Sequence, residues 1–138
     1  DSALLDRIHC FIPGWELPKI MQSSEHLASG YGIVADYLSE VFHQMSMQGS
    51  FFDLISDRVR IESSSQDGIT IREEKAIKKV ASGLLKLLCP DGKREDMEDV
   101  TLAMKAAVDG RMRVNAILSA ISPLEFKRKK QIRFSTAE

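Results

Sequence analysis

Cysteine, histidine, proline and aromatic residues are all scarce in this 138-residue chain, and each scarcity removes a class of function. The two cysteines, Cys10 and Cys89, lie far apart and match no Cys-x-x-Cys or Cys/His metal spacing. They read as small apolar thiols of a reducing compartment. The histidines His9, His26 and His43 show no ligand spacing, so no metal site is expected. The formal net charge of −1 gives no global field toward nucleic acid or a membrane surface. Apolar runs stay well below the roughly 20 residues that span a bilayer, and no signal-peptide layout is present. The reading is a cytoplasmic chain with no membrane partner.

What is present suits a single domain able to bury about two thirds of its unfolded surface. Cys10-Phe11-Ile12 is an apolar triplet that suggests a short strand, closed by Pro13-Gly14 and Leu17-Pro18. Leu27, Tyr31, Val34, Leu38, Val41 and Met45 step by three or four, predicting a helix from about Ser24 to Met47. Gly30 and Gly32 weaken its first turns. Phe51, Phe52, Leu54 and Ile55 suggest a short buried helix or turn, and Val59 and Ile61 alternate with charged residues as in a brief strand. Ser63 to Gly68 is a loop by composition.

Two stronger helices follow. Thr70 and Glu73 have capping-box spacing, and Ile77, Val80, Ala81, Leu84, Leu85 and Leu88 form one face before Cys89-Pro90-Asp91-Gly92 stops the helix. From Glu95 to Ile121, Met97, Val100, Met104, Ala107 and Val108 are continued by Val114, Ile117, Leu118 and Ile121. One long helix with a weak point at Gly110 is favoured over two. The expected fold class is mainly α, a small helical bundle with little strand.

One helix start carries an arginine suited to phosphate chemistry. Arginine's planar, permanently charged fork binds phosphate oxygens in pairs, and phosphoryl transfer needs positive charge where negative charge shifts. Arg72 falls in the first turn of the helix capped by Thr70, where free N–H groups and the dipole already favour an anion. Lys78 and Lys79, further along it, read as surface charges. Leu4-Leu5-Asp6-Arg7 resembles the segment that closes the nucleotide-binding core of AAA+ ATPases, and Thr70 to Ile77 resembles the start of the sensor-2 helix in Lon-type and MCM-type lids. That resemblance implies an arginine finger at Arg7, acting in trans on a neighbour's ATP, and a sensor-2 contact from Arg72 to the γ-phosphate.

A longer match is more specific. LLDRIHCFIPGWELPK, GIVADYLSE, IREEKAIKKVASGLLKLLCPDG and DGRMRV together resemble the Lon-like (BrxL) family of the BREX phage-defence systems, over most of residues 2–118. The resemblance implies residues 1–22 as the end of an AAA+ core, 23–122 as its helical lid, and 123–138 as a basic tail toward a further region. It also implies ATP with Mg2+ as cofactor of a parent ATPase, a homo-oligomeric ring, and other phage-defence components as partners. Asp91-Gly92-Lys93-Arg94 lacks the first glycine and the hydroxyl of a phosphate loop, and no apolar run ends in Asp-Glu. Those parts are expected upstream of Asp1, and the chain alone is expected to be inactive. No Ser-Lys protease dyad is legible: Ser63, Ser64 and Ser65 are a loop cluster, and Ser82 precedes Lys86 by ordinary helical spacing.

Lys127, Arg128, Lys129 and Lys130 are the one basic concentration, a weak candidate for contact with DNA phosphates. The alternative reading is a non-enzymatic interaction or DNA-binding module using that tail. Trp15, after Pro13-Gly14, reads as a packing anchor at the junction of core and lid in preference to a partner contact.

Overall fold

The computed structural model describes residues 2–21, 28–64, 68–90, 97–126 and 131–136. Among them are five α-helices and two strands: α1 (Ser2–Leu5), α2 (Ala35–Met47), α3 (Ser50–Arg58), β1 (Val59–Ser63), α4 (Ile71–Leu88), α5 (Met97–Ile121) and β2 (Ile132–Thr136). The chain is mainly helical, as its periodicity predicts.

Contacts divide the chain into two compact units, Ile12–Gln48 and the remainder. The larger is organised by α4 and α5. At one end Asn115 of α5 bonds Glu73 of α4, and at the other the Cys89 thiol meets Asp99, so the two helices run antiparallel. Ile77, Ala81 and Leu85 line the inner face of α4; Val100, Met104, Ala107 and Leu118 line that of α5. Ile55 of α3, Val59 of β1 and Ile132 of β2 are buried with them. Each fully buried aliphatic side chain contributes roughly 1.5–3 kcal/mol against exposure.

The cap of α4 forms as its spacing predicts. Thr70 Oγ1 accepts from the Glu73 backbone N–H at 3.2 Å, and Glu73 Oε2 accepts from the Thr70 backbone N–H at 2.9 Å. The long helix is continuous from Met97 to Ile121. Gly110 is no weak point in it, because the bare Cα is where the amino-terminal segment docks. Phe11 N–H donates to Gly110 O at 3.1 Å, and a Cβ at position 110 would overlap Cys10 Sγ and stand 3.3 Å from Cys10 Cβ.

Three expectations are corrected. Cys10 to Ile12 is not a strand: Phe11 N–H donates to a helix carbonyl, that of Gly110, and no strand among the described residues pairs with the triplet. The helix predicted from Ser24 begins only at Ala35, after the non-helical residues 28–34 that contain Gly30 and Gly32. Its residues 22–27 lie outside the described residues, as do 65–67 of the predicted loop and 91–96 around the expected start of α5. The tail also holds a strand. β2 pairs antiparallel with β1, placing Val59 opposite Thr136, Ile61 opposite Phe134 and Ser63 opposite Ile132.

In the smaller unit, Gly14–Glu16 forms a single 3-10 turn and α2 follows. Trp15 in that turn is 80% exposed.

Candidate functional site

The amino-terminal segment has almost no secondary structure of its own, so side chains of α5 must hold it. Arg111 does most of this. It is 1% exposed and donates to three acceptors: Asp6 O at 3.1 Å, Ile8 O at 2.8 Å and Asp6 Oδ1 at 2.7 Å. One guanidinium thus collects two main-chain carbonyls that have no ladder and one carboxylate. Its Nε is the one buried side-chain N or O without a hydrogen bond among the described residues.

The second oxygen of Asp6 is engaged by Arg72, which reaches it from the first turn of α4. Asp6 therefore lies between two arginines from different helices. Burial pushes its carboxyl pKa up, but the hydrogen bonds and positive charge of Arg72 and Arg111 outweigh this and hold it below the ordinary aspartate value. The two partners differ sharply in solvent contact: the Arg72 side chain is 57% exposed.

A second polar tie lies one turn further along α5. Asn115 donates to Glu73 Oε1 at 2.8 Å, while the other oxygen of Glu73 serves the cap of α4. Arg111 and Asn115, four residues apart on one helix face, together fasten the amino-terminal end of α4 and the segment that carries Asp6 and Arg7.

Arg7 follows α1, is exposed, and makes no side-chain ion pair among the described residues. Asp6, its neighbour in sequence, links this segment to Arg72. Lys79 is exposed, as expected of a surface charge, whereas the Lys78 side chain is only 14% exposed and pairs with Glu74 at 2.7 Å along α4. Lys127, Arg128, Lys129 and Lys130 lie outside the described residues. Further along, Arg133 stands opposite Glu62 in the β1–β2 register. Cys10 and Cys89 are not joined in a disulfide, and burial raises the Cys10 pKa, the reverse of what a nucleophile needs. Ser82 is buried on α4. No described helix is long and apolar enough to cross a membrane.

Sequence reasoning located Arg72 but missed Arg111 and Asn115. A signal for Arg111 existed. It falls between Met104, Val108 and Leu118 on the apolar stripe of α5, and a charged residue in core phase requires a buried partner.

The fold and this cluster define a mainly α module in which a helix pair clamps a short arginine-bearing segment. A sequence model of the family described as "Lon-like protease BrxL-like, ATPase domain" matches residues 1–132. The chain is 38% identical over 128 residues to Lon-like protease BrxL of Bacillus cereus (strain H3081.97), covering 91% of this chain and 18% of that protein. It is 36% identical over 126 residues to Lon-like protease BrxL of Escherichia coli O9:H4 (strain HS), covering 91% and 17%. The chain belongs to the BrxL-like family, within its ATPase domain. It spans less than a fifth of the length of these curated relatives.

Proposed function

We propose that this chain is the part of a ring-forming AAA+ ATPase that brings positive charge to the terminal phosphate of ATP. Residues 1–22 close the nucleotide-binding core, 23–122 form the helical lid, and 123–138 lead toward a further region. The reading is supported by the family match and by one geometric observation: Asp6, adjacent to Arg7, is bonded to Arg72 at the start of α4. Arg7 thus directly follows in sequence the residue that Arg72 bonds.

The residues fit a phosphate group. Arg72 presents a half-exposed guanidinium at a helix N-terminus, where dipole and charge act together. They do not supply a cation site: no group of three His, Cys, Asp or Glu among the described residues is arranged to hold a metal. Mg2+ would be held by other parts of the parent. ATP with Mg2+ supplies the phosphoanhydride that is cleaved. Arg7 reaches across to a neighbouring subunit and offsets charge on the phosphoryl oxygens, which makes turnover conditional on assembly. Arg72 orients the same kind of group from the lid.

The parent couples this hydrolysis to remodelling, proteolysis or DNA-directed phage defence, in the cytoplasm and with other defence components. The Lys127–Lys130 run is its candidate contact with DNA. Turnover of ATP by the full-length protein is the test. Arg7→Ala is expected to lower it by about 10³-fold or more, and Arg72→Ala to lower it substantially. Near-normal rates in both variants would overturn the assignment.

A further inference from the structure

Asp6 has two arginine partners of opposite character. Toward Arg111 the pair is dry: that guanidinium is 1% exposed and is also bonded to the main-chain carbonyls of Asp6 and Ile8. Toward Arg72 the pair is wet, since the Arg72 side chain is 57% exposed. Charge pairs this open to water are weakly held and readily exchanged, whereas a pair closed off from water is kept. The carboxylate is consequently fixed in position from behind and presented to Arg72 from the front.

Carboxylate and phosphate are recognised by the same face of a guanidinium, through parallel N–H donors to two oxygens. Asp6 meets Arg72 through Nη1 alone, so a phosphate that takes the two Nη groups as a pair must take the place that Asp6 holds. A dianionic terminal phosphate has more charge and more oxygens to offer than one carboxylate, so it wins when it is near.

We infer that Asp6 is a resident competitor for Arg72: its carboxylate occupies the guanidinium until the terminal phosphate of a nucleoside triphosphate displaces it, while Arg111 retains Asp6. This rests on the reading of Arg72 as a phosphate contact. It adds that the site is poised against its own ligand, and that Asp6 and Arg111 set the threshold. Arg111 is a positioning residue, acting only through Asp6.

Asp6→Asn separates the two arms. The asparagine carbonyl oxygen still accepts from Arg111 Nη2, and both main-chain carbonyls are untouched, but an amide NH2 replaces the acceptor facing Arg72. Asp6→Ser is the second variant, smaller and equally uncharged, so that either folded protein decides the question. The measurement is equilibrium binding of a fluorescent, non-hydrolysable ATP analogue and of fluorescent ADP to the full-length protein, with melting recorded alongside.

Both variants are expected to bind the triphosphate more tightly by up to about fivefold, the factor an exposed ion pair is worth, with ADP little changed. Adding Arg72→Ala should erase the gain. Loss of affinity in Arg72→Ala alone, without a gain in Asp6→Asn or Asp6→Ser, overturns the competitor and leaves the phosphate contact standing. No effect of Arg72→Ala on triphosphate binding overturns the contact and the competitor together. A gain that survives Arg72→Ala also overturns the competitor, because removal of a negative charge then acts on ATP without this arginine.

Discussion

At the scale of single residues, Arg111 is the side chain with no substitute. Removing it leaves one oxygen of Asp6 and two carbonyls without their donor against a dry helix face, and breaking a buried pair from one side is far costlier than never having built it. Arg111→Ala is expected to destabilise the chain by about 3 kcal/mol or more in urea unfolding. Arg111→Lys should recover only part, since one ammonium cannot match a fork that serves three acceptors. Asp6 carries a pH signature of known sign. Its folded carboxyl holds a proton less tightly than the unfolded one, so its contribution is full above the ordinary value of 3.8 and drains away as pH falls through the lower folded value. Asp6→Asn should flatten the acid limb of stability below about pH 4, read from urea midpoints across that range. Gly110 sets two effects against each other. Alanine in a helix interior gains about 1 kcal/mol of propensity, whereas overpacking costs about 1–3 kcal/mol. The overlap with Cys10 Sγ decides it: Gly110→Ala should lower the melting temperature, and Cys10→Ala should restore much of the loss.

Among the elements, those whose determinants are local were legible. The capping box of α4 is a four-residue pattern and forms as read, and Thr70→Ala should cost about 1 kcal/mol in the same unfolding assay. The stripe of α5 identified a single helix across Gly110. What escaped were features made by distant partners. Ile132-Arg133-Phe134-Ser135-Thr136 alternates, and Ile132 is buried, yet its partner strand lies far upstream, beyond the reach of any local pattern. The triplet Cys10 to Ile12 is apolar enough for a strand, but sheet structure requires a second chain segment, and none of the described residues pairs with it. The site divides in the same way. Arg72 was legible from the helix start it occupies, while its carboxylate partner, 66 residues away, was not. Ile132→Ala, which empties a core position on β2, should destabilise by about 2–4 kcal/mol, showing that the strand belongs to the core.

For the whole molecule, membership of the BrxL-like family places a short chain within a much longer kind of protein, and one observable follows for the chain alone. Trp15 is its single tryptophan and is exposed, so its fluorescence should resemble that of a water-exposed indole and be fully quenched by iodide. A shielded, blue-shifted emission would contradict the described position. The β1–β2 ladder reaches further. It ties Val59 to Thr136, so the hairpin of α4 and α5 is spliced between two ends that must find one another across most of the chain. Contacts of such long sequence separation form late and slowly. On a ribosome, helices α3 to α5 would emerge with Ile132 still inside the tunnel, their shared interior unsealed. Such a nascent chain would be a natural client for chaperones until β2 is delivered.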